Sequence, residues 1–141
     1  MEGNFQNVPP HDDVAEQGVL SSMFLDKEAV AVALEILRAD DFYRPDNKVV
    51  FEAAEELFFS GVPVDVITIK NKLEEKQVFE QIGGLPFIIS ISTAVGSSVN
   101  VKHYARIVEE KSLLRRLIQT AGEVSQISYE GKESVASIME K

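Results

Sequence analysis

The sequence predicts an all-α fold, a small helical head of about five to six helices followed by an arm built as a long-helix hairpin. Three observations lead there. Apolar residues recur at three- and four-residue steps in nearly every segment, the spacing of amphipathic helices. Aspartates precede several of these patterns and glycines follow them, where caps belong. One pattern, from about Val101 to Tyr129, runs without proline through Tyr104, Ile107, Val108, Leu114, Leu117, Ile118, Ala121, Val124 and Ile127. At a rise of about 1.5 Å per residue it makes a rod of about 42 Å, longer than a compact domain of this mass is wide. A rod of that length reaches for a partner.

Residues 1–12 are polar, contain Pro9-Pro10, and read as a flexible lead-in. The head is expected over 13–99. Asp12 or Asp13 offers an N-cap to a first helix whose stripe is Val14, Val19, Leu20, Met23 and Phe24. A second helix, Lys27 to Leu37, places Val30, Ala33, Leu34 and Leu37 at helical spacing and ends at Arg38-Ala39-Asp40-Asp41. In Asp41-Phe42-Tyr43-Arg44-Pro45 the proline forces an extended Arg44 and starts a helix. That helix runs to about Ser60, buries Val50, Phe51, Ala54, Leu57 and Phe58, and has Gly61 as its left-handed cap. Phe58 and Phe59 cannot both face inward, so one belongs to the surface. Val62-Pro63-Val64 is a short extended link, and Asp65 caps a helix carrying Val66, Ile69 and Leu73 to about Lys76.

Residues 85–95 leave two readings. Phe87, Ile88, Ile89 and Ile91 are strong strand formers, whereas Pro86 after Gly83-Gly84 resembles a first helical position. Helix is favoured, because a lone strand would leave its backbone groups unpaired. Gly96 to Asn100 makes a loop from which Ser98 or Asn100 caps the long helix. After that helix, Gly131 is a turn signal, and Val135, Ile138 and Met139 begin a return helix, so that 100–141 forms the hairpin. It ends at Lys141 with the return helix unfinished, as expected of a chain truncated before a further domain.

Composition narrows the function classes. The chain has 141 residues, 45% of them hydrophobic, which suits one domain that buries about two thirds of its extended surface. It has neither an apolar run of about 18 residues nor a basic, apolar leader at MEGNFQNVPPHDD, so a cytoplasmic protein with no membrane partner is expected. Without cysteine there is no disulfide, thiolate nucleophile or sulfur-ligated metal. A net charge of −9 repels phosphate backbones, so little or no direct duplex DNA binding is expected. Lys111, Arg115 and Arg116, beside Glu109 and Glu110, read as a solvated mixed-charge face.

No catalytic, metal or cofactor site is expected. Gly83-Gly84 lacks the lysine and hydroxyl residue of a phosphate loop and reads as a turn. His11 and His103 lack a carboxylate pattern such as HExxH, and both read as surface histidines. Asp12-Asp13 and Asp40-Asp41 lie where helices begin or end, so capping accounts for them. Two rivals to an assembly role stand against this background. One is a small acid-base or metal enzyme using Asp40, Asp41 and His103, and the other is a dimeric helical regulatory protein binding DNA or another protein through its head.

The strings VPPHDDVAEQGVLSSMFLD, DDFYRPDNKVVFEA, GVPVDVITIKNKLEE, IGGLPFI and SSVNVKHYARIVEEKSLLRRLI, in that order, resemble the N-terminal domain of bacterial DnaB-type replicative DNA helicases from about Pro9 to Tyr129. The resemblance implies a non-catalytic collar for a C-terminal RecA-like motor that hydrolyses ATP with Mg and unwinds DNA. It implies self-assembly into dimers and a hexamer, as a trimer of dimers, with Leu114, Leu117, Ile118, Ala121, Ile127, Val135 and Ile138 covered by a neighbour. It further implies docking of the primase helicase-binding domain at Phe87, Ile118, Val124 and Ser125, and allows a helicase loader as partner. Arg115, Arg116, Glu109 and Glu110 would set register. The sequence departs from the family at Phe87, where tyrosine is usual, at Asn47-Lys48, where a His-Arg-like pair is common, and at GSSVN, which replaces a proline-initiated loop.

Overall fold

The computed structural model describes residues 8–141 and contains seven α-helices and no strand among them. They are α1 (Asp13–Leu25), α2 (Lys27–Ile36), α3 (Pro45–Phe59), α4 (Val66–Glu75), α5 (Gly84–Ser92), α6 (Val101–Glu130) and α7 (Val135–Met139), with a 3-10 turn at Ala39–Asp41. Of the expected lead-in, residues 1–7 lie outside the described ones.

Local chemistry sets most of these bounds. Asp12 starts α1 by accepting from the Ala15 N–H at 2.9 Å, and Asp26 starts α2 by accepting from Glu28 at 3.0 Å. Arg44 is extended, and Pro45 is the first residue of α3, where its missing N–H leaves nothing unpaired. At the end of α3 the chain reverses through Gly61 at φ 75°, a conformation that costs glycine nothing. Asp65 and Thr68 cap α4 reciprocally, each side chain accepting from the other's N–H at 2.9 Å. Gly131, at φ 66°, ends α6.

Residues 85–95 are helical in their larger part, as α5, and the apolar run packs as a helix face with Ile88 and Ile91 fully buried. Pro86 is its third residue rather than its first. Gly83 and Gly84 take φ of 109° and 63°, which lets the helix begin two residues earlier than the proline signal suggests. The expected caps of α6 are also corrected. Asn100 precedes the helix without a side-chain cap bond, and the Ser98 hydroxyl donates to Asp26 at 3.3 Å instead.

Helix α1 is the hub, packing against α2, α3, α5 and α6. Its core face is Val19, Leu20 and Met23, and Glu16 lies on that face too, 1% exposed. Val14, expected in the stripe, is 82% exposed. At about 100° per residue it falls roughly opposite Glu16, on the solvent side. The rest of the core comes from Val30 and Ala33 of α2, Val50, Phe51 and Ala54 of α3, Ile69 and Leu73 of α4, and Val101, Ala105 and Val108 of α6. Packing therefore carries the head into the first half of the long helix.

The α1–α6 contact is close at Gly18, where an added Cβ would stand 2.9 Å from the Tyr104 ring. Gly18→Val is expected to cost about 2 kcal/mol, since overpacking outweighs the helix propensity gained. Urea unfolding measures it, and an unchanged midpoint would show that Tyr104 swings away freely.

Candidate protein-interaction surface

Helix α6 has two apolar faces, one turned to the head in its first half and one turned outward, chiefly in its second. In its first half Val101, Ala105, Val108 and Ser112 are buried against the head. Beyond Ser112 the apolar residues are Leu113, Leu114, Leu117, Ile118, Ala121 and Val124, and at about 100° per residue they centre roughly half a turn away, on the outward side. Leu117 is 65% and Ile118 59% exposed. The single stripe read from the sequence is thus two stripes. The second one is not covered by its own head. Ala121 and Val135 are exposed, while Val124, Ile127 and Ile138 are half-buried where α7 contacts α6.

The base of the arm is tied to the head by a polar cluster that includes Arg115 and Arg116, two residues expected on a solvated face. The Asp41 carboxylate, nearly buried, accepts from the Arg38 N–H at 2.8 Å, the Ser112 hydroxyl at 2.7 Å and Arg116 at 3.0 Å. Arg115 donates to the Asp41 carbonyl at 2.7 Å and the Pro10 carbonyl at 2.8 Å, with its guanidinium over the Tyr43 ring. On its other side Tyr43 stacks with His11, ring centroids 4.1 Å apart. Arg115 and Arg116 are thus engaged within the chain, although the Arg116 side chain stays largely exposed. Glu109 is paired locally with Arg106 at 3.0 Å.

The depression between α1 and the start of α6 carries exposed apolar surface as well. It is lined by Val14, Ala15, Gly18, Val95, Tyr104 and Ile107. Ile107, Leu114 and Ile118 follow at seven and four residues along α6, so the outward stripe runs on into this depression. Of the expected docking residues, Ile118, Val124 and Ser125 share α6. Phe87 stands apart on α5, whose packing partners are α1 and α4, with its Cβ 3.1 Å from where a Cβ on Gly83 would be.

The candidate acid-base residues do not converge. Asp41 faces Ser112 and Arg116, Asp40 faces Lys48 at 2.9 Å, and His103 lies beside Tyr104. The hydrogen bond from Lys48, reinforced by its charge, holds the Asp40 carboxyl below the usual carboxylate range. Among the described residues there is no grouping of three or more His, Asp or Glu placed to hold a metal, and no helix long and apolar enough to cross a membrane.

Glu16 is an anchor that sequence reading did not single out, and Asp41, expected as a helix-end or acid-base residue, instead ties the arm to the head. The signal for Glu16 was present, since it stands at the three-, four- and seven-residue spacing that links it to Val19, Leu20 and Met23. An acid in the middle of an apolar face signals a buried anchor.

An all-helical head, an arm apolar on its outer face and no convergent catalytic cluster among the described residues are the build of a helical interaction domain. Sequence and structural similarity narrow that class. Residues 8–110 match the model of the DnaB-like helicase N-terminal domain, and the chain belongs to that family. It is 39% identical over 136 residues to the replicative DNA helicase DnaB of Geobacillus stearothermophilus, covering 96% of this chain and 30% of that protein. Against the DnaB of Mycobacterium leprae it is 39% identical over 140 residues, covering 98% and 23%. The chain therefore spans less than a third of these relatives. Among solved structures, the N-terminal domain of DnaB helicase from Mycobacterium tuberculosis superposes with a TM-score of 0.88 at 40% identity, covering 94% of this chain and 93% of that one. The N-terminal domain of DnaB helicase from Helicobacter pylori, described with its interactions with primase, gives 0.69 at 26% identity, covering 82% and 90%.

Proposed function

We propose that this chain is the non-catalytic collar of a replicative helicase, which assembles subunits and recruits primase. The observation that carries this reading is the outward stripe on α6, continuous in sequence with a head-facing stripe yet turned away from the head. Subunits pair through Leu114, Leu117, Ile118, Ala121 and Ile127 of α6 with Val135 and Ile138 at α7, and three pairs make the hexamer. Covering each large side chain contributes about 1.5 to 3 kcal/mol, the scale on which a few such residues hold a dimer. The primase helicase-binding domain docks at Ile118, Val124 and Ser125, with Phe87 as a separate contact on α5. ATP hydrolysis with Mg, and unwinding, belong to the motor part of the full-length protein.

The test uses Leu117→Asp and Ile118→Asp with light scattering over a concentration series. Both residues are exposed in the monomer, so folding is expected to persist while dimerisation weakens at least about tenfold, because the aspartate must be desolvated at the interface. Titration with the primase domain is expected to show weaker binding for Ile118→Asp. Unchanged oligomer mass and unchanged primase affinity would overturn the reading.

A further inference from the structure

The head has a second apolar surface, built by α1, α2 and the α3–α4 link, that the arm-centred function leaves unused. Met23, Phe24, Leu25, Val30, Phe58 and Val62 are the apolar lining of a groove of about 560 Å³, with Val64 at its end. Its floor is core, for Met23 and Val30 are fully buried, while Leu25 is 48% and Val62 37% exposed at its edges. The apolar surface extends past the groove. Phe59, 72% exposed, meets the groove residue Phe58 edge-on at 5.6 Å. A small molecule would fill the groove and leave Phe59 bare, whereas a peptide segment covers both.

The rim specifies the charge of that segment. Asp26 and Asp65 line the groove; Asp65 spends one carboxylate oxygen on capping with Thr68 at 2.9 Å, while Asp26 caps with Glu28 at 3.0 Å and accepts from Ser98 at 3.3 Å with its other oxygen, and each keeps its charge at the rim. Neither is in an ion pair among the described residues. Lys27 is the single basic residue of the lining among the described residues. A second copy of the chain, at a net charge of −9, would approach an acidic rim with excess negative charge. A segment with apolar residues flanked by lysine or arginine fits both floor and rim.

The α3–α4 edge of the groove is braced by local hydrogen bonds. The Val62 N–H donates to the Leu57 carbonyl at 2.9 Å and the Gly61 N–H to Phe58 at 3.1 Å, while the Thr68 hydroxyl donates to Pro63 at 2.7 Å. A preformed edge loses little entropy on binding. We infer that this head groove docks a partner protein through an apolar segment flanked by basic side chains, independently of the arm.

The experiment titrates the chain with a synthetic amphipathic peptide of roughly 12 residues, leucine and phenylalanine on one face and lysine elsewhere, and with a counterpart carrying glutamate for lysine. Backbone amide shifts map the contact. The expected result is perturbation of 23–30 and 58–65 by the lysine peptide, binding at least about tenfold weaker for the glutamate peptide, and a similar loss in Leu25→Lys and in Val62→Ser. Both positions are partly exposed, and unchanged thermal midpoints check that the variants remain folded. Ile118→Asp, which disables the arm, is expected to leave this binding intact, so failure of the groove and failure of the arm reading are told apart. Perturbation confined to 113–128, equal binding of both peptides, or groove shifts that grow with protein concentration without peptide would each overturn the inference.

Discussion

Glu16→Ala is expected to destabilise the chain by about 3 to 4 kcal/mol, because it removes the acceptor for three donors at once. The carboxylate takes the Tyr43 N–H at 2.7 Å, the Arg44 N–H at 3.3 Å and the Asn47 side-chain amide at 2.9 Å. Asn47 is buried and its other amide atom, Oδ1, has no partner among the described residues, so losing Glu16 leaves that side chain without any of them. The site is also the N-terminus of α3, where a negative charge is favoured by the helix dipole and Arg44 supplies no side-chain cap of its own. Glu16 thus does, from α1, what a capping residue usually does from within the helix. Glu16→Gln keeps the shape and one acceptor but turns an N–H toward other donors, and is expected to lose about half as much. Urea unfolding with a thermal midpoint measures both, and a loss below about 1 kcal/mol for alanine would show that α3 is anchored by its apolar face alone.

Asp41→Ala is expected to cost about 2 to 3 kcal/mol and, beyond stability, to loosen the arm. The Arg116 pair adds at most about 1 kcal/mol of this, since that guanidinium is largely in solvent and screened. The larger share comes from the Arg38 N–H and the Ser112 hydroxyl, which lose their buried acceptor. Ser112 lies at the point where α6 leaves the head. From there to Glu130 the helix extends roughly 27 Å, so a tilt of about 10° at the base moves the tip by about 5 Å. Amide exchange is expected to quicken over 112–119 relative to Val101–Val108, and the dimer population to fall although no residue of the outward stripe has changed. Exchange that is uniform along α6, with dimerisation intact, would show that apolar packing of Val101, Ala105 and Val108 holds the arm without the cluster.

Much of the fold was legible because its signals are local. Asp12, Asp65, Pro45, Gly61 and Gly131 act on backbone groups within four residues of themselves, so the bounds of α1, α3, α4 and α6 fall within a residue or two of expectation. The exposed member of the Phe58-Phe59 pair followed from helical geometry, since adjacent residues stand about 100° apart. Pro86 misled for an equally local reason. Two glycines in left-handed conformation started α5 before it, an option that no proline statistic contains.

The candidate surface was only half legible. That α6 is apolar and longer than the head requires could be read from spacing, and so could the family. Which face of it meets the head could not, because a pattern of three- and four-residue steps drifts round the helix and the residue at which the head ends is set by contacts with α1 and α2. Arg115 and Arg116 show the same limit. Beside Glu109 and Glu110 they have the composition of a solvated face, yet Asp41 and Pro10, more than 70 residues earlier, are their partners. Residue order along the chain thus settled helix positions, the absence of sulfur chemistry and the acidic charge. Distant pairings of Glu16 with the start of α3, of Asp41 with Ser112, and of Gly18 with Tyr104 arose from packing, since burial and hydrogen-bond partners depend on neighbours in space that local spacing does not encode.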